Sequence, residues 1–291
     1  MTLQEQVKLL IGIGYKRLAA QAKVAHDVIL LAMHRSGFKA KSTIKGGVVM
    51  SSITRDIRRA TMDMDIDFVH HSISKRSIES FVRGLNRTLP GIDIAIVGPI
   101  ADLKHEDYRG KRIFVTIADG TTPRPLRTKI DIGVHTHDEM VQLEYEFEMI
   151  SVNENVELQV NSNEQIFVEK LLSLLRHGIV SRRPKDVFDM YYLSSRMDRN
   201  TVSAYMASLV YANKHCKENS KGEVLASLTH TFSSSRYLAK LNTARVNWLG
   251  LSLRLLQALC SNSLPHYDVI CRITKHFGMW DSVPFNPLPI D

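Results

Sequence analysis

The stretch KGGVVMSSITRDIRRATMDMDIDF, residues 45–68, decides how the chain is read. It opens on two adjacent glycines and closes on three aspartates at alternate positions, Asp63, Asp65 and Asp67, interleaved with Met64, Ile66 and Phe68. Such alternation predicts a β-strand over 61–69, because successive side chains of a strand point to opposite faces. Thr61, Asp63, Asp65, Asp67 and Val69 then share one face, while Met62, Met64, Ile66 and Phe68 are expected in the core. Carboxylates this close repel one another, so their face should meet something positive. Two carboxylates two residues apart suit one or two Mg²⁺ ions, which take oxygen ligands and leave positions open for phosphate oxygens. The plainer alternative is a solvated acidic strand edge that discourages aggregation.

The neighbouring residues fit the first reading. Gly46 and Gly47 let backbone N–H groups approach a phosphate closely, and a helix starting after them favours anions at its N-terminus. Arg58 and Arg59 either hold phosphate or balance the aspartates. In RTKIDIGVH, residues 127–135, Asp131 alternates with Ile130 and Ile132. Burying such an aspartate is costly unless it is paired or metal-bound. A strand beside the aspartate strand would bring Asp131 to the same metal; otherwise it pairs with Arg127 or Lys129.

Helices are expected within 3–37, a strand at 43–47 leading into a helix at 48–52, a helix at 78–89, and strands at 92–97, 112–118, 127–134 and 144–152. From about residue 162 the pattern becomes helical, with segments at 164–176, 184–195, 201–212 and 248–260. An α+β fold follows, a mixed sheet with flanking helices over 1–160 and a C-terminal helical bundle over 161–291.

The 291 residues carry a formal net charge of +8 and a pI near 9.4, which favours a polyanionic partner or simply solubility. The basic stretches SKRS (74–77), RPLRTK (124–129) and SRRPK (181–185) are solvated faces or an RNA-binding rim. Cys216, Cys260 and Cys271 lack metal or disulfide spacing and read as thiols of a cytoplasmic protein. The longest apolar run, 28–33, is far too short to span a bilayer, and MTLQEQVKLL has no signal-peptide pattern. No P-loop or nucleophile–base constellation is present, and neither His70-His71 nor His135-x-His137 has a third metal ligand.

With these motifs in view, the chain resembles the nucleotidyltransferase superfamily, in the branch of the AbiEii/AbiGii toxins. The branch pattern of a glycine pair followed by Arg-x-Ser/Thr-x-Asp-x-Asp falls on Gly46, Gly47, Arg59, Thr61, Asp63 and Asp65, and TKIDIG resembles its third-carboxylate strand, at Asp131. Downstream, NSNEQIFVEKLLSLLRHGIVSRRPKDVFDMYYL resembles its helix–loop–helix, with matches at Glu169-Lys170, Lys185-Asp186 and Asp189. The resemblance implies an Mg²⁺-dependent transfer from a nucleoside triphosphate, with Asp63, Asp65 and Asp131 on the metal. Gly46, Gly47, Arg59 and Thr61 would serve the nucleotide, and Lys170 and Asp186 would join the catalytic set. Lys170 would reach phosphate from the helical domain. On its own helical wheel, Lys170 falls inside an apolar arc and must snorkel outward or meet a partner. Asp186 sits in a first helical turn, where the helix dipole alone favours an acid. Asp67 and Asp189 receive no role. The implied biology is the toxin of a toxin–antitoxin or abortive-infection pair, with a cognate antitoxin as partner, no membrane, and an RNA acceptor such as the tRNA 3′ end. The alternatives are a nucleotide-binding regulator without transfer activity, and transfer to a protein or small-molecule hydroxyl.

Overall fold

The computed structural model describes residues 1–103, 110–121, 124–135, 140–243 and 246–251. The chain divides into two compact units, Met1–Ser162 and Asn163–Asp291.

The first unit opens with α1 (Leu3–Gly12) and α2 (Arg17–His34). Helix α1 starts on a reciprocal capping box between Thr2 and Glu5, which satisfies two otherwise unpaired N–H groups. Then come β1 (Ser42–Lys45), α3 (Gly46–Thr54), β2 (Asp63–Val69), α4 (Lys75–Asn86), β3 (Asp93–Leu103), β4 (Gly110–Ala118), β5 (Leu126–His135), β6 (Gln142–Met149) and β7 (Glu154–Asn161). The seven strands form one mixed sheet in the order β3-β4-β5-β2-β1-β7-β6. Strand β2 lies at its centre, antiparallel to β1 and parallel to β5.

The aspartate strand alternates as expected along most of its length. Met64, Ile66 and Phe68 are each 0% exposed. Phe68 joins Phe38 and Phe81 in an aromatic cluster with ring centroids 5.1–6.1 Å apart. Burying each such side chain contributes about 1.5–3 kcal/mol. The first expected core residue departs from the pattern: Met62 is 46% exposed, because the strand begins only at Asp63. His26 of α2 anchors this beginning. Its Nε2 lies 3.1 Å from Thr128 Oγ1. Full burial, then the nearby Lys23 charge, depress its pKa to about 3, and a hydrogen bond to the Met62 backbone opposes them. The ring is therefore neutral at physiological pH.

Two further departures have local causes. Strand β3 continues past the expected stop at residue 97, through an irregularity between Val97 and Ala101 where Gly98 takes φ 77°. An edge strand tolerates Gly98-Pro99 in this way. Strand β7 occupies residues that read as the approach to a domain boundary. It pairs with β6 along its length and meets β1 at Ile44 and Val160, burying Val156, Leu158 and Val160.

In the second unit the described secondary structure is helical: α5 (Asn163–His177), α6 (Lys185–Leu193), α7 (Arg199–Met206) continued by a π turn (Ala207–Tyr211), α8 (Lys221–Phe232) and α9 (Ser235–Leu241). Most of the helix expected over 248–260, together with Cys260 and Cys271, lies outside the described residues, as does His137.

Candidate functional site

The sheet register sets the acidic positions in two rows across the strands. One row runs Lys45 (β1), Asp65 (β2), Asp131 (β5), Arg112 (β4). The next runs Asp63 (β2), Lys129 (β5), Phe114 (β4), Val97 (β3). The expected third carboxylate thus stands in register beside the second aspartate of the pair.

Positive side chains from the same face meet these carboxylates. Lys129 Nζ donates to Asp63 Oδ2 at 2.8 Å and lies 3.9 Å from Asp131 Oδ2. Arg112 grips Asp131 with two parallel bonds, Nε to Oδ1 at 2.7 Å and Nη2 to Oδ2 at 2.8 Å. Those bonds hold the guanidinium above its ordinary pKa against the opposing effect of burial, with lesser help from the charges of Asp131, Asp63 and Asp65. The sequence suggested Arg127 or Lys129 as the alternative partners of Asp131; the closest ion pair comes from Arg112, two strands away from β2. Asp67, on the same face, is buried and pairs with Lys45 at 2.7 Å.

The glycine pair has a steric reason. Helix α3 opens on Gly46 itself, at φ 64°, a conformation that side chains other than glycine rarely adopt. A Cβ on Gly46 would lie 2.5 Å from Asp65 Oδ2, and one on Gly47 would lie 2.5 Å from Thr61 Oγ1. The first turn of α3 is therefore pressed against the aspartate strand. Thr61 in turn donates to the Asp63 carbonyl at 3.3 Å. Gly46→Ala should combine a left-handed-backbone penalty of about 1–2 kcal/mol with about 1–3 kcal/mol of overpacking against Asp65. Gly91→Ala, at φ 79° with nothing within 4 Å of the added Cβ, should show the backbone penalty alone. Urea unfolding of both variants separates the two effects; equal losses would remove the Asp65 contact as a cause.

Of the two arginines before the strand, Arg58 is exposed and tied to Asp56 at 2.7 Å, whereas Arg59 is buried at the end of the 3₁₀ turn Ile57–Arg59. The hydrogen bond from Arg58 holds the Asp56 carboxyl below its usual range.

Lys170, Asp186 and Asp189 come together in the helical unit. Lys170, on α5, is 5% exposed; its Nζ lies 2.6 Å from Asp186 Oδ1 and 2.8 Å from Asp189 Oδ2, both on α6. It meets partners rather than snorkelling. Trp248 Nε1 donates to Asp189 Oδ1 at 3.1 Å, and Arg183 Nε lies 3.0 Å from Asp186 Oδ2. The buried Tyr237 phenol is pushed well above its ordinary pKa by burial and then by the Asp186 charge. Sequence reading left Asp189 without a role, yet it is 0% exposed and part of this network.

Carboxylates facing one side of adjacent strands are the donor chemistry that a hard divalent cation takes. Among the described residues no group of three or more His, Cys, Asp or Glu side chains is arranged to hold a metal. Lys129 and Arg112 supply the positive charge at Asp63 and Asp131 instead. The carboxylates have the oxygen-donor chemistry of a cation site but are held on Lys129 and Arg112, and these two side chains would have to yield for a cation to bind.

A mixed sheet with such a carboxylate face, entered by a glycine-opened helix, is the class of architecture on which nucleotidyl groups are transferred. The chain belongs to a family of that class: the family profile for the nucleotidyl transferase AbiEii toxin, of type IV toxin–antitoxin systems, matches residues 28–250. Among solved structures, JHP933 from Helicobacter pylori is similar at 14% identity over 91% of this chain and 96% of its own, with a TM-score of 0.49. An antigenic nucleotidyltransferase-like protein from Paracoccidioides brasiliensis is similar at 13% identity over 71% of this chain and 93% of its own, with a TM-score of 0.38. No curated protein matches significantly. Among the described residues no helix is long and apolar enough to cross a membrane.

Proposed function

We propose that the chain transfers a nucleotidyl group from a nucleoside triphosphate to a hydroxyl of RNA, with the tRNA 3′ end as the acceptor class, and that this is the toxic activity of a toxin–antitoxin pair acting in the cytoplasm. The observation that carries the reading is the contact of the Gly46–Gly47 turn with Asp65 and Thr61, in register with Asp131.

Backbone N–H groups at the start of α3 are suited to the triphosphate, since a helix N-terminus carries partial positive charge. Asp63, Asp65 and Asp131 would hold Mg²⁺, which when bound neutralises triphosphate charge and orients the reacting oxygens. The acceptor oxygen forms a bond to the α-phosphorus as the bond to the bridging oxygen breaks; pyrophosphate leaves, and the hydroxyl proton passes to a carboxylate of the cluster or to water. Arg112 and Lys129, displaced from Asp131 and Asp63, would remain near the phosphates as counter-charges. Lys170 is already neutralised by two buried carboxylates, so its proposed part is to position α5 against α6, with Asp186 and Asp189 as its anchors. An antitoxin would have to hinder the nucleotide, the acceptor or the product.

Incubating the protein with α-labelled nucleoside triphosphates, Mg²⁺ and total RNA tests the reading. Label should appear in RNA of tRNA size. Label in protein or in a small molecule would replace the acceptor class, and nucleotide binding without any transfer would leave a regulator.

A further inference from the structure

Beyond the carboxylates, the same sheet face continues onto β4 and β3 and carries a second constellation. The row that starts at Asp63 and Lys129 runs on to Phe114 and to the exposed Val97. The exposed Arg127 lays its guanidinium over the Phe114 ring, 4.6 Å from the centroid. Arg127 belongs to the basic stretch RPLRTK, and the transfer mechanism gives it no task.

We propose that Arg127, stacked on Phe114, is the acceptor subsite, a platform on which the last unpaired base of an RNA strand rests while its terminal hydroxyl faces the carboxylates. The inference rests on the transfer reading above and adds where the acceptor lies and what recognises it.

Geometry selects this side. In an in-line displacement the nucleophile and the leaving group lie on opposite sides of the phosphorus. The glycine turn that would take the phosphates follows β1, on one side of β2, whereas β5 and β4 lie on the other. The acceptor therefore arrives over β5 and β4. Two strand spacings, about 10 Å, separate β2 from β4, which is roughly the span of one nucleotide.

Chemistry selects the occupant. A planar cation backed by an aromatic ring presents a flat, positively charged surface, which suits the π-face of a base and the phosphate beside it. The net charge of +8 favours the same polyanion. A protein hydroxyl would need neither the plane nor the charge.

The test uses the full chain and a fluorescein-labelled unpaired 12-nucleotide RNA, read by anisotropy, beside the affinity for a non-hydrolysable nucleoside triphosphate with Mn²⁺. Arg127→Ala should weaken RNA binding by about fivefold to a hundredfold, the range of one lost base stack. Phe114→Leu, which keeps an apolar side chain, should weaken it in the same direction. Arg127→Lys keeps the charge and loses the plane, so it should resemble Arg127→Ala. Nucleotide affinity should stay at the wild-type value in all three. RNA affinity unchanged in Arg127→Ala and Phe114→Leu would overturn the subsite and leave the transfer reading standing. Full rescue by Arg127→Lys would overturn stacking in favour of plain charge, and joint loss of RNA and nucleotide binding would overturn a role specific to the acceptor. A wild-type protein that binds nucleotide and labels protein instead of RNA overturns the acceptor class and the base platform with it, leaving nucleotidyl transfer standing; one that binds neither probe overturns the transfer reading and the subsite together.

Discussion

Lys170→Met is expected to destabilise the helical unit by about 3–5 kcal/mol, the cost of leaving buried carboxylates without their counter-charge. Sequence alone suggests that folding would be preserved, since methionine suits a helix and an apolar surface. The structure changes the expectation, because the ammonium lies within 2.8 Å of both Asp186 and Asp189. Trp248 is hydrogen-bonded to Asp189, so in a Trp280→Phe background its fluorescence is a local reporter, and the urea midpoint followed at that indole is the measurement. Adding Asp186→Asn and Asp189→Asn to Lys170→Met should recover most of the loss, because neutral amides in place of carboxylates remove the uncompensated charge. The competing outcome is equally definite. An unchanged midpoint together with nucleotide affinity or transfer rate reduced about tenfold to a hundredfold would return Lys170 to direct phosphate contact.

Asp65→Asn should abolish transfer, by at least about a thousandfold, since a metal-held triphosphate draws several kcal/mol of transition-state stabilisation from charge neutralisation. Asp63→Asn should act in the same direction. It should cost little stability, because Asp63 is half exposed and its bond to Lys129 is a surface ion pair. Asp67→Asn separates the two effects: its carboxylate is buried on Lys45, so the variant should lose stability and keep its turnover. Radiolabel incorporation per molecule of folded protein measures all three. Wild-type turnover in both Asp63→Asn and Asp65→Asn would remove the metal assignment.

Much of this arrangement was legible in the sequence because it rests on period and order. Alternation from Asp63 to Val69 gives the central strand and its acidic face, and the isoleucines around Asp131 give the neighbour that brings a third carboxylate into register. What pairs with what was not legible. Nothing about Arg112 in the sequence points to Asp131, because their meeting depends on how β4 is placed against β5. Strand β7 carries a clear alternation of Val156, Leu158 and Val160, yet it lies where the chain changes from strands to helices and reads as a connection. The loss of Met62 from the core follows from one residue at the strand's start, the kind of boundary that pattern reading places least well. Lys170 was recognisable as misplaced in an apolar arc; that both acids of the next helix would close on it needed the packing of α5 on α6.

The pairing of β1 with β7 also sets an order of events in the making of the protein. The glycine turn hangs from β1, whose Ile44 finds its partner Val160 only when nearly the whole first unit has been synthesised, and Asp65 waits likewise for Asp131. Long-range and parallel pairings of this kind form late, since the intervening chain must close before any contact rewards it. A ribosome partway through the message therefore carries a polypeptide that has the aspartates and the glycines but not yet the surface they make together. On the transfer reading proposed above, activity would be deferred until translation has passed the strand that completes the sheet, so the nascent chain would stay inert for the length of one domain's synthesis.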